Sequence, residues 1–114
     1  MASGLGDDAV SVQCDVSLKK DVDAMVRAAV EAFGGVDIMV NNAGITHTNQ
    51  PMLDVDETTF DRIYAVNVKS VYLSAMAVVP YMEKRGGGVI INTASTAGVR
   101  PRPGPTWYHG SKGA

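Results

Sequence analysis

Two short apolar runs, Val36 to Val40 and Val89 to Asn92, each follow a helix-patterned stretch that ends on glycine. Short runs of this kind fit strands buried in a parallel sheet. Ahead of the first run, Val22, Met25, Val26, Ala29, Val30 and Phe33 recur at helical spacing, and Gly34-Gly35 closes the pattern. Ahead of the second, the stripe Phe60, Ile63, Tyr64, Asn67, Val71, Ala75, Val78, Met82 follows a capping Asp56 and stops at Gly86-Gly87-Gly88. Pro80 lacks an N–H and is expected to kink or shorten the last turns of that helix. Ala9 to Cys14 alternates apolar and polar residues and predicts a further strand with one buried face. Ser17 is a candidate N-cap, although Lys20 stands where a capping box wants glutamate. Pro101, Pro103 and Pro105 mark a stiff loop, with a new helix expected from about Thr106. Strands alternating with helices predict an α/β fold with a parallel sheet. At 114 residues there is room for one domain.

Composition narrows the function classes. The net charge is −2, and no run of lysine or arginine marks a nucleic-acid or membrane-surface binder. Arg100 and Arg102 read as a solvated loop rather than a phosphate clamp. A single cysteine, Cys14, excludes an intrachain disulfide and makes a reducing compartment the default. No apolar stretch reads as a bilayer span, and no secretory signal opens the chain, so the expected location is the cytoplasm. His47 and His109 have no cysteine or carboxylate at ligand spacing, and no metal site is expected.

Five residue types carry chemistry. Tyr108 and Lys112 are four apart in a helix-patterned segment and so share a face. A phenol ordinarily titrates near pH ~10. One ammonium at ~4 Å favours its ionised form by about 4 kcal/mol at an effective dielectric near 20. That suffices to make such a pair a proton donor to, or acceptor from, an alcohol or carbonyl oxygen, though two surface residues at this spacing are also common. Ser95 lies thirteen residues upstream, just past the Val89 to Asn92 run. Ligands of open parallel sheets bind beyond the carboxyl ends of strands, where a serine either donates to a substrate oxygen or caps a turn. Asn67 sits on an apolar stripe, and a buried amide must bond something. A neighbouring loop and a site water are equally good partners. Asn41-Asn42-Ala43-Gly44 follows the other run, where small residues let a ligand approach the backbone. Asp15 either accepts from an adenine amino group or caps the turn after it. Gly4-Leu5-Gly6-Asp7-Asp8-Ala9 fits G-x-G-x-x-G/A by letter only, since a strand follows it instead of a helix. A Ser95–His–Asp hydrolase is a distant alternative, because Ser95 lacks the G-x-S-x-G elbow.

Together these residues resemble the classical short-chain dehydrogenase/reductase family, from Asp15 to Lys112 and in the family's order. Asn41 to Gly44 looks like its NNAG motif. Asn67, Ser95, Tyr108 and Lys112 look like its catalytic tetrad, and Asp15-Val16 is similar to its adenine-contacting pair. The resemblance implies a Rossmann-like, doubly wound parallel sheet and an NAD(P)-dependent oxidoreductase interconverting a carbonyl and a secondary alcohol. Tyr108 would be the acid/base, Ser95 would orient the substrate oxygen, and Lys112 would assist Tyr108 and hold the nicotinamide ribose. Asn67 would fix a water. Asp15, Val16, Asn42, Ala43, Gly44, Tyr108 and Lys112 would contact the cofactor, NAD or NADP. A small-molecule substrate and a homo-oligomer, tetramer or dimer, are implied as well.

The family's N-terminal strand, Gly-rich loop and helix, and its C-terminal strands, have no counterpart here. The chain is therefore expected to be the central part of a longer, single Rossmann-like domain. Alone, it is expected to fold poorly and to lack activity. The alternative is an inactive truncated fragment that at most pairs with other subunits.

Overall fold

A computed structural model describes residues 8–46, 50–94 and 106–114. Strands β1 (Ile38–Asn41) and β2 (Val89–Asn92) form a parallel pair in the register Ile38↔Val89 through Asn41↔Asn92. Helix α1 spans Lys19–Phe33. A long helical segment then runs as α2 (Glu57–Tyr64), a π-helical stretch Ala65–Lys69 and α3 (Ser70–Lys84). The final helix, α4, covers Thr106–Gly113. The expected α/β arrangement with parallel strands is present.

The period of two along a strand explains the layering. Met39 and Ile90 turn toward α1 and α3 and pack against a core of Val26, Val78 and Met82. Ile38, Val40, Val89 and Ile91 turn the other way and are exposed. The runs expected to be buried on both sides are thus covered on one. Ala9 to Cys14, expected as a strand, joins no ladder, and Val10 and Val12 are exposed. An extended segment needs a partner for its backbone groups, and neither described strand lies beside it.

Helix ends follow the sequence closely. Asp56 caps α2 by accepting from the Thr59 N–H at 2.9 Å. At the end of α3 the Gly87 N–H bonds to the Met82 carbonyl at 2.9 Å and the Gly86 N–H to Glu83 at 3.1 Å. This is a Schellman closure, which requires the positive φ of Gly86, 90°. Ser17 does not cap α1; Leu18 holds that position with no side-chain bond. Ser17 donates instead, through N–H and hydroxyl, to Asp15 Oδ1 at 3.0 and 2.6 Å. Pro80 does not cut α3 short. The carbonyl that loses its usual intrahelical N–H partner belongs to Met76, an exposed residue.

Two further differences lie in the long helical segment. Ser70, Leu73 and Ser74 are buried, whereas the stripe residues Val71 and Ala75 are only half-buried. The hydroxyls tolerate burial because Ser70 bonds the Val66 carbonyl and Ser74 bonds the Ser70 carbonyl and Asn41 Oδ1. Contrary to the sequence expectation, Glu57–Lys84 is long enough to cross a bilayer and contains an 18-residue stretch apolar enough to do so, at a mean hydropathy of 1.3. Its apolar residues are instead spent partly on the core beneath the sheet, as Val78 and Met82 show.

Val78 is fully buried, so Val78→Ala should lower the unfolding free energy by about 2–3 kcal/mol in denaturant titration of the intact protein. A change below about 0.5 kcal/mol would contradict this packing. The 114-residue chain alone should bind a hydrophobic dye through the uncovered sheet face and lack a sharp thermal transition. Cooperative melting without dye binding would count against that.

Candidate active site

The site lies where both strands end. Past β1 the chain runs through Asn42, Ala43 and Gly44 to Ile45; past β2 it runs through Thr93 and Ala94. The two ends are tied together by Asn41 Nδ2, which donates to Asn92 Oδ1 at 2.8 Å. The Thr93 hydroxyl donates to Asn42 Oδ1 at 3.0 Å, and the Thr93 N–H to the Asn41 carbonyl at 2.9 Å. Helix α4 closes the site from a third side.

Asn67 joins these parts. It lies in the π-helical turn and is only 9% exposed. Its Oδ1 accepts from the Ile45 N–H at 2.8 Å, while its Nδ2 donates to the Ile45 carbonyl at 2.7 Å and to Ser111 Oγ at 2.9 Å. Both amide hydrogens are therefore committed to protein, which is the loop-binding alternative of the sequence analysis. On the side chain, a water has only the second lone pair of Oδ1 to bond. Single π-turns inside α-helices occur often at functional sites.

Tyr108 and Lys112 both line one cleft with Asn42, Gly44, Ile45, Thr46, Thr93 and Ala94. Lys112 Nζ donates to the Thr93 carbonyl at 3.4 Å. Gly44 faces it so closely that an added Cβ would stand 3.1 Å from Nζ and 3.5 Å from Asn67 Oδ1. Tyr108 is half-buried. The start of α4 is held by Trp107, whose ring meets Phe60 edge-on at 5.2 Å between centroids and whose Nε1 donates to the Met52 carbonyl at 3.2 Å. Phe60 in turn stacks on Tyr64 at 4.7 Å.

Of the residues singled out in the sequence, Asn42, Gly44, Tyr108 and Lys112 thus come together, with Asn67 directly behind them. Val16, Asn42 and Ala43 share a second, more apolar cavity with Val22, Met25 and Met39. Asp15 lies at the surface, its Oδ1 engaged by Ser17. Those two bonds, the hydroxyl's first, hold the Asp15 carboxyl below the ordinary aspartate range. Burial, with Asp21 and Asp15 adding to it, pushes the Cys14 thiol up, which makes it a poor nucleophile. Ser95, His47, Arg100 and Arg102 lie outside the described residues. Ser111, Ser74 and Thr93 were missed in the sequence. Ser111 and Ser74 look like ordinary helix serines until their neighbours in space are known.

The geometry and the motifs converge on one family. The sequence model described as short chain dehydrogenase matches residues 1–114, and the chain belongs to that family. It is 55% identical over 106 residues to the 4-formylbenzenesulfonate dehydrogenase of Comamonas testosteroni, covering 93% of this chain and 42% of that protein. It is 43% identical over 112 residues to the 2-(R)-hydroxypropyl-CoM dehydrogenase of Xanthobacter autotrophicus, covering 95% and 44%. Among solved structures, the 3-ketoacyl-(acyl-carrier-protein) reductase of Brucella melitensis complexed with NADH superimposes with a TM-score of 0.93 at 46% identity, over 98% of this chain and 48% of that one. An NAD+-bound xylitol dehydrogenase superimposes with a TM-score of 0.82 at 37% identity, over 89% and 39%. The Rossmann fold of these neighbours is the fold expected here. The chain spans less than half the length of these relatives.

The depressed Asp15 carboxyl has a pH consequence. Its contribution to stability is present in full above the ordinary aspartate pKa and is lost as pH falls through the lower, folded-state value. Asp56, held low by Thr59, behaves the same way. In an NMR titration the Ser17 and Thr59 amide shifts should show midpoints below the ordinary aspartate value, about 3.9. Midpoints at or above that value would show that these turns are not formed in solution.

Proposed function

We propose that this chain supplies the central part of an NAD(P)-dependent oxidoreductase that interconverts a small or medium carbonyl compound and its secondary alcohol. The observation that carries this reading is the cleft beyond both strand ends, lined by Tyr108 and Lys112 together with Asn42, Gly44 and Thr93. Its groups suit the ribose and amide of a nicotinamide nucleotide. Lys112 offers an ammonium to ribose hydroxyls, and Gly44 lets a ligand approach the backbone beside it. Val16 and Ala43 offer apolar contact further along, in the neighbouring cavity.

When bound, the nicotinamide supplies or accepts the hydride. Tyr108 gives a proton to the substrate oxygen in reduction and takes one in oxidation, so hydride and proton together account for the two hydrogens gained or lost. Lys112 stabilises the negative charge that Tyr108 carries between the two. Asn67 keeps Lys112 and Gly44 in register through its bonds to Ile45 and Ser111. Ser95 holds the substrate oxygen. The relatives named as dehydrogenases and the NADH complex support the cofactor class, and NAD and NADP remain equal candidates. We place the protein in the cytoplasm, as a homo-oligomer.

Exposed Tyr72 and Met76 on α3 favour a second reading, in which the chain serves only to pair with other subunits. The two readings separate on turnover. The intact protein should oxidise NAD(P)H in the presence of a carbonyl substrate such as an aromatic aldehyde, and Tyr108→Phe should lower kcat at least about a hundredfold. Turnover that survives the Tyr108→Phe change would refute the proposed acid/base. No cofactor oxidation with any carbonyl, alongside co-purification with an intact relative, would favour pairing.

Gly44→Ala tests the close approach. The added methyl pushes on the flexible end of Lys112, so stability should hardly change while kcat falls by about tenfold or more. Unchanged kcat would show that the position of the ammonium is not critical.

A further inference from the structure

We propose that Ser111 is a positioning residue for the Tyr108–Lys112 pair and that it acts through Asn67. The activity part of this proposal rests on the oxidoreductase reading above; the structural part does not. Ser111 precedes Lys112 by one residue and follows Tyr108 by three, so it stands about 60° round the helix from Tyr108, on the flank of the face they share. It is nonetheless 3% exposed, more deeply buried than either. Its hydroxyl hydrogen goes to the Tyr108 carbonyl at 2.8 Å, and its oxygen accepts Asn67 Nδ2–H at 2.9 Å. The other hydrogen of that amide is held by the Ile45 carbonyl, and Oδ1 is held by the Ile45 N–H.

The result is an unbroken relay of hydrogen bonds from the loop after β1, through the π-turn, to the backbone of Tyr108. Each step is between groups whose remaining donors are already engaged. A rotation of α4 about its axis, or a slide along it, would break the Asn67–Ser111 bond and strand a buried donor. The relay therefore fixes the angle at which α4 presents Tyr108 and Lys112 to the cleft. It also couples that angle to the Gly44–Ile45 backbone on the opposite wall. The hydroxyl matters here, not the bulk: alanine would fill most of the same space and leave Asn67 Nδ2 with one hydrogen unpaired.

The test uses the intact protein with Ser111→Ala and Ser111→Thr. For Ser111→Ala, kcat per folded molecule should fall by about ten- to a hundredfold, with cofactor KM changed by less than about threefold. Ser111→Thr, which keeps the hydroxyl, should recover most of the loss. Independently of turnover, hydrogen exchange at the Ile45 amide should accelerate at least about tenfold in Ser111→Ala, while that of Val26 in α1 stays as it was. Unchanged kcat per folded molecule in Ser111→Ala overturns the proposal, as does unchanged Ile45 exchange. An equal loss in both variants, with Ser111→Thr folded, overturns it too. If the parent protein shows no NAD(P)H-linked turnover, the oxidoreductase reading falls, and the Ile45 exchange result alone decides for or against Ser111.

Discussion

Among the described residues, every segment that reaches the cleft is tied, directly or through one neighbour, to the side chain of Asn67. Its amide satisfies both backbone groups of Ile45 and the hydroxyl of Ser111. Each such bond contributes about 1 kcal/mol net when made, and each costs more if one partner is left buried and alone. The asymmetry makes the arrangement nearly all-or-none. A helix and a loop from distant parts of the chain are held at fixed separation by one residue on a third element.

The strand ends follow the same logic. Asn41 bonds across to Asn92 and receives the hydroxyl of Ser74, while Thr93 bonds to Asn42. Parallel strands splay at their carboxyl ends once the ladder stops, and side-chain amides there continue the pairing beyond the last backbone bond. The polar groups on the inner face of α3 thus serve the sheet and the site at once. They also explain how a helix with the hydropathy of a membrane span belongs in this fold. Asn67 finds its partners on the Ile45 loop and α4, and Ser74 reaches Asn41 at the end of the sheet.

Much of this was legible in the sequence, for identifiable reasons. The glycines after Phe33 and Lys84 fixed where the helices stop, because only glycine takes the left-handed conformation those caps need at little cost. Period and length located β1 and β2 to within a residue or two. The Tyr108–Lys112 spacing placed both on one wall of the cleft. The π-turn was not legible, since an extra residue in a helix leaves no mark on composition. The burial of Ser74 and Ser111 was hidden for a related reason: their partners, Asn41 and Asn67, are far away in sequence. Ala9 to Cys14 has the alternation of a strand, yet alternation says nothing about whether a neighbour exists to complete the ladder. The one-sided cover of β1 and β2 is the same kind of information.

The central claim is that the cleft between Gly44, Thr93 and α4 receives the nicotinamide end of the cofactor. The most direct test is a crystal structure of the intact protein with NADH or NADPH bound. The account predicts ribose hydroxyls within hydrogen-bonding distance of Lys112 Nζ, with the nicotinamide ring in the cleft that Tyr108 lines and Asn67 still bonded to Ile45 and Ser111. A cofactor seated elsewhere, or a cleft in which Asn67 has let go of Ile45 to accommodate it, would contradict the account.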